Sequence, residues 1–157
     1  MLELAGIPSS QARSDAGSIY QIEATLASFQ LAPDEMGNPF KLYNKLDLSG
    51  LQNLAPQLPW QQFLNGMGYP SATQLNVQIP SYFSSMSAFI ASVNPSSYQT
   101  YVRWCAINAL SPYLTSEFVE RDFDFYGKVL SGLTEAPPRA QVCAKETDQA
   151  LGDQTGA

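Results

Sequence analysis

Apolar residues recur three and four positions apart along most of this chain, in runs separated by breaks containing proline or glycine. That spacing gathers the apolar side chains on one face of an α-helix. The first run carries Ile19, Ile22, Leu26 and Phe29, and Ser14 or Asp15 is expected to cap a helix reaching about Leu31. Ahead of it, Met1 to Gly6 read as the last turns of a helix stopped by the loop IPSS, as in a chain entered partway. APDEMGNPF, with two prolines and a glycine, is expected to be the most exposed loop. Asp47 then caps a short helix with Leu48, Leu51 and Leu54, which Pro56 ends. Pro59 suits the first turn of the next helix, which turns Trp60, Phe63 and Leu64 inward and is closed by Gly66 or Gly68.

The period changes at QLNVQI, residues 74–79, where Leu75, Val77 and Ile79 alternate with polar neighbours as in a strand. No second strong strand lies near it in sequence, so it either pairs outside this chain or serves as an extended connector. Pro80 and Pro95 each introduce a helix. The first holds Phe83, Met86, Phe89 and Ile90. The second, from Ser96 to about Leu114, places Tyr98, Tyr101, Val102, Cys105, Ala109 and Leu110 at helical spacing, and Trp104 and Ile107 widen its apolar arc to more than one side. These aromatics are expected in the core. Thr115 or Ser116 caps a further helix that buries Phe118, Val119, Phe123, Tyr126, Val129 and Leu130, with Gly132 at its stop. Its outer face carries Glu117, Glu120, Asp122 and Asp124 beside Arg121 and Lys128, read as a solvated face rather than as acid–base catalysts. A final helix turns Val142, Cys143 and Leu151 inward before GDQTGA frays. The fold class is therefore all-α: a single multi-helix domain over residues 1–157, with at most one short isolated strand near 74–79.

Composition narrows the function. With 45% apolar and 14% charged residues, the 157-residue chain is globular. Fourteen acidic against 8 basic side chains give a formal charge of -6, which argues against a nucleic-acid partner. No membrane segment is present, since no run approaches the roughly 18 apolar residues of a span. MLELAGIPSSQARSDAG also lacks the basic and apolar regions of a signal peptide. Histidine is absent altogether. Zinc peptidase chemistry and serine or cysteine hydrolysis both need imidazole, so this chain alone assembles neither. Cys105 and Cys143 lack C-x-x-C spacing and are expected as two buried free thiols, a single disulfide between them being the alternative. No catalytic, cofactor-binding or metal-binding residue is assigned.

Four stretches carry a family resemblance: IEATLAS (22–28), LYNKLDLSGLQNLAPQLPWQQFL (42–64), YVRWCAINALSPYLTSEFVERDFDFYGKVLSG (101–132) and PPRAQVC (137–143). In this order they resemble the large N-terminal helical domain of the neprilysin-like zinc metallopeptidases, the family that includes endothelin-converting enzymes and bacterial oligoendopeptidase O. The likeness runs over roughly residues 20–152. Ala140 departs from it, because a Trp commonly follows the Pro-Arg pair. Cys143 matches a cysteine that in the animal enzymes is disulfide-bonded to an upstream cysteine, and no partner stands at that upstream position.

The resemblance implies a non-catalytic part of a larger enzyme. In the family this domain faces a thermolysin-like catalytic domain across an enclosed chamber and restricts substrates to short peptides. Zinc, the H-E-x-x-H helix, the downstream Glu ligand and the substrate-holding Asn-Ala pair all belong to the part not contained in this sequence. The implied partners are that C-terminal catalytic domain and the oligopeptide substrates of the parent. The implied setting is extracytoplasmic, periplasmic or secreted. Two other classes stay open: a stand-alone helical binding module without enzymatic activity, and an unrelated structural or interaction protein with similar helix patterns.

Overall fold

Eight α-helices and one two-stranded sheet make up the computed structural model, 67% of it helical; it describes residues 1–155, with side chains described as far as Gly152. The all-α class is as expected. The chain divides into two units, one of Pro8–Trp104 and one that joins Met1–Ile7 to the residues from Cys105 onward.

In the larger unit, α1 spans Ser9–Ser28 and buries Ala12, Asp15, Ile19 and Ile22. The expected caps, Ser14 and Asp15, lie inside it. Pro8 holds an extended ψ of 142°, and its carbonyl already accepts the first helical bond from the Ala12 N–H at 2.8 Å. Asp15, 7% exposed, accepts a bond from Gln11 Nε2 at 2.7 Å. The loop that follows holds a 3₁₀ turn, Glu35–Gly37, and the single turn α2, Pro39–Leu42, whose first turn is capped by Asn38. Lys41 reaches back to Glu35 at 2.6 Å. Phe40 is 91% exposed, in keeping with an exposed loop.

The strand at 74–79 is not isolated. β1, Lys45–Asp47, and β2, Gln74–Asn76, pair antiparallel with Leu46 opposite Leu75. A three-residue strand leading straight into a helix cap is too short for its alternation to be read. What fixes the pairing lies at its end. The Asn44 N–H donates to Asn76 Oδ1 at 2.7 Å, Asn76 Nδ2 donates to the Leu42 carbonyl at 3.1 Å, and the Val77 N–H donates to the Asn44 carbonyl at 2.9 Å.

Asp47 caps α3, Leu48–Leu54, as expected, accepting from the Gly50 N–H at 2.7 Å. After the corner APQLP comes α4, Trp60–Gly66. Leu51, Ala55, Trp60 and Val77 form the core, with Leu46, Leu54, Leu75 and Phe83 packed on it. The Trp60 indole N–H donates back across the corner to the Ala55 carbonyl at 3.1 Å, which also accepts the Leu58 N–H at 3.2 Å. Phe63 is exposed rather than inward, its ring edge-on to that of Trp60 with centroids 6.4 Å apart. Gly68, at φ +82°, closes α4: its N–H donates to Asn65 and that of Tyr69 to Leu64, the paired bonds of a Schellman stop. Next, α5 runs Pro80–Ser92. Its Ser87 hydroxyl accepts the Gln57 N–H at 3.1 Å, and its Tyr82 and Phe89 rings pack edge-on to Phe29.

The helix α6, Pro95–Leu110, is continuous, with residues in both units. It stops four residues short of the expected Leu114, because Pro112 turns the chain into a 3₁₀ segment, Ser111–Tyr113. Then follow α7, Ser116–Asp122, a π-helix, Phe123–Leu130, and α8, Arg139–Thr155. α8 carries Gly152 through Thr155 within the helix instead of fraying there; the expected fraying of the last two residues lies outside the described residues.

The smaller unit departs from expectation in burial. Val119, Tyr126, Val129, Leu130, Val142 and Leu151 are exposed, Val129 and Leu130 to 69% and 63%. Phe118 and Phe123 are half-buried. The expected core stripe of α6 is also only partly covered: Tyr101, Trp104 and Ile107 are half-buried, while Tyr98, Val102, Cys105, Ala109 and Leu110 are exposed. Periodicity correctly marks these faces as apolar, but no element among the described residues covers them.

Candidate functional site

Residue by residue, the structure offers surfaces rather than a catalytic constellation. The acidic face of α7 is the first candidate. Glu117, Glu120, Arg121 and Asp124 line an open groove of about 400 Å³ together with Leu4. Asp124 accepts from Lys128 Nζ at 2.7 Å and lies 3.7 Å from Arg121 Nη1. The hydrogen bond from Lys128 and its charge hold the Asp124 carboxyl below the usual carboxylate range, with Arg121 adding to the effect. A carboxylate held ionised by two cations is a poor proton carrier near neutral pH. Asp122 leaves this face. It turns toward Ser111, whose fully buried hydroxyl lies 2.7 Å from Asp122 Oδ1 and 2.8 Å from the Asn108 carbonyl.

A second groove, of about 360 Å³, lies between the start of α3 and the loop after α4 and is lined by Asp47, Leu48, Ser49, Gln61 and residues 70–73. Its one ionisable group, Asp47, is engaged in capping α3. The rest is lined by Ser49, Ser71, Thr73 and Gln61 together with the apolar Leu48, Pro70 and Ala72, without a base to activate the hydroxyls.

Two further polar links tie the smaller unit together. Asn108 Nδ2 donates to Tyr126 Oη at 2.8 Å, and Tyr113 Oη donates to Glu146 Oε2 at 2.8 Å, joining the 3₁₀ segment to α8. The hydrogen bond to the Glu146 carboxylate, with its negative charge, raises the Tyr113 hydroxyl above its ordinary pKa. In the loop before α2, the bond from Lys41 lowers Glu35 in the opposite sense.

Both thiols are free, and both are exposed, which corrects the expectation that they are buried. They sit on the uncovered faces of α6 and α8. Among the described residues no group of three or more His, Cys, Asp or Glu is placed to hold a metal ion, and the chain has no histidine to supply one. These residues do not fit a zinc site. Nor, among them, is any helix long and apolar enough to cross a membrane.

Sequence reasoning missed Asn44 and Asn76, which clasp the strand pair, and Gly127, buried under the Phe123 ring within the π-helix. Gly127 has a local signal, a glycine four residues after an aromatic, whereas nothing local marks Asn44 and Asn76, which are 32 positions apart.

The comparisons with known proteins agree in one direction. Neprilysin-11 of Caenorhabditis elegans is 28% identical over 155 residues, which is 94% of this chain and 18% of that protein. Endothelin-converting enzyme 1 of Bos taurus is 26% identical over 146 residues, 89% of this chain and 19% of the relative. Among solved structures, the open state of the Mycobacterium tuberculosis zinc metalloprotease Zmp1 superposes with a TM-score of 0.88 at 26% identity, covering 94% of this chain and 23% of that one. The inhibitor complex of Zmp1 gives the same TM-score at 27% identity. The chain thus spans about a fifth of the length of the proteins it resembles. The profile of Peptidase family M13 matches residues 1–157, its whole length, and the chain belongs to that family, in its neprilysin-like N-terminal region.

Proposed function

We propose that this chain is a non-catalytic helical part of a neprilysin-like zinc metalloendopeptidase, acting as a wall of the reaction chamber that restricts substrates to short peptides. The observation that carries this reading is the pairing of a family match over the full chain with the absence of any histidine. Residues 1–157 work in this reading as one helical domain, with no catalytic, cofactor or metal residue among them. Zinc and its ligands belong to the rest of the polypeptide, so no chemical step is assigned to a side chain of this one. The remaining polypeptide and the oligopeptides it cleaves are the partners, and the setting is extracytoplasmic.

The test is to express the complete product of the gene alongside the 157-residue chain and to assay both on peptides of graded length. Chelator-sensitive cleavage is expected from the longer product only, falling as the peptides lengthen. Chelator-sensitive cleavage by highly purified 157-residue chain would sink the proposal, and equal cleavage of short peptides and folded proteins would remove the chamber role. A gene product without any peptidase activity points instead to a stand-alone helical binding module.

A further inference from the structure

The outward face of α6 repeats at spacings of four, three and four: Tyr98, Val102, Cys105 and Ala109, every one of them exposed. Tyr101, Trp104 and Ile107, on another face of the same helix, are half-buried. A helix that already packs one apolar face and presents a second needs a second neighbour, because isolated exposed apolar residues are common on surfaces but an ordered stripe of them is not. Spacing of four and three is that of helix seams crossing at a shallow angle, in which side chains of one helix enter the gaps of the other. The stripe is about 17 Å long at 1.5 Å per residue, enough for three turns of a partner. Its composition suits close approach, with the small Cys105 and Ala109 at one end and the larger Tyr98 and Val102 at the other.

We propose that this face of α6 is a helix-docking seam, and that its occupant is a helix from the remainder of the same peptidase polypeptide. The inference rests on the reading of the chain as one part of a longer M13 peptidase. Length argues for that occupant, since relatives with this fold carry most of their residues outside the region matched by these 157. Charge argues against a second copy: two chains of net charge -6 repel one another, and the stripe has Arg103 beside it as its only charged neighbour between Tyr98 and Ala109.

Cys105 reports on the seam directly, with no substitution needed. The complete gene product is treated with iodoacetamide, native and denatured, and alkylation of Cys105 and Cys143 is followed separately by peptide mass spectrometry. The 157-residue chain is treated in the same way at several concentrations. In the native gene product, Cys105 is expected to react at least roughly tenfold more slowly than in the denatured one, the factor set by the free energy of local opening. In the 157-residue chain it is expected to react at close to its denatured rate. Unslowed alkylation in the native gene product overturns the seam, and so does a gene product that ends at Ala157. Protection in the 157-residue chain that grows with its concentration overturns the occupant and identifies a second copy. A zinc-dependent peptidase with a reactive Cys105 refutes the seam and leaves the proposed function standing. A protected Cys105 in a product without peptidase activity does the reverse.

Discussion

Asp124 is a carboxylate whose ionisation is set by its neighbours. It is held by Lys128 through a 2.7 Å bond, while the Lys128 ammonium also lies 5.5 Å from the centre of the Phe123 ring. The shift is a depression, so any stability the pair adds is present above the unfolded carboxyl pKa and lost as pH falls through the folded one. The pair is solvent-exposed, and its contribution is correspondingly small. Its titration is nevertheless measurable. In an NMR pH titration the Asp124 carboxyl is expected to show a midpoint below that of an ordinary aspartate, and Lys128→Met should move it upward, Arg121 preventing a full return. An unchanged midpoint in the variant would assign the depression to some other group. Asp47 shows the opposite degree of legibility: its role as a helix cap can be read from sequence alone, because a cap is specified by the residue and the three that follow it. Asn44 and Asn76 cannot be read that way, since each is defined by a partner more than thirty positions distant.

At the scale of elements, the π-helix is the feature least foreshadowed. A π turn, closed by i→i+5 bonds, is wider than an α turn and rare in proteins. Here the Phe123 ring lies against the Cα of Gly127, where an added Cβ would overlap the ring. The stop follows the wider geometry: the Gly132 N–H bonds to Lys128 and that of Leu133 to Gly127, each one residue further back than in the Schellman stop at Gly68. Gly127→Ala is expected to destabilise the protein by about 1–3 kcal/mol through overpacking. Adding Phe123→Leu should recover part of that loss, because residues in contact are not additive. Denaturant melts of the two single variants and the double variant test this, and strict additivity would refute the contact. The positions of the longer helices and most of their stops are legible because they depend on local spacing and on glycine or proline, whereas the short α2 and the change from α7 to a π-helix are not. The start of α1 is misplaced because a serine or aspartate cap signal competes with a proline that sets the same conformation without a side-chain bond. β1 escapes notice because three residues carry too little pattern.

For the molecule as a whole, the two units differ in kind. The larger one has a core in which Leu51 and Ala55 are 1% and 0% exposed. In the smaller one, Leu2 is the only large apolar side chain that is buried among the described residues. A unit that buries so little apolar surface has a small driving force to stay folded. Amide hydrogen exchange on the 157-residue chain is therefore expected to show weak protection along α8 and the π-helix and strong protection in α3 and α4. Uniform protection would mean that the smaller unit has a source of stability beyond its own packing. The same contrast explains the limits of the sequence reading: the pattern identifies which faces are apolar, as in Val129, Leu130 and Val142, but what covers a face is not encoded in the face.

Gly6, at φ +84°, has a consequence for how the molecule is made. Its N–H bonds to Glu3 and that of Ile7 to Leu2, so the turn at Met1–Gly6 is terminated by its own residues, as are α4 at Gly68 and the π-helix at Gly132. Ends specified within a handful of neighbours form without waiting for distant contacts, and local contacts form fastest. Synthesis proceeds from the N-terminus at a few residues per second, far slower than helix formation. A nascent chain punctuated in this way has its helices delimited at the mouth of the ribosome. Folding of the smaller unit, which buries only Leu2 among its large apolar side chains in the described residues, then starts from helices whose ends are already set.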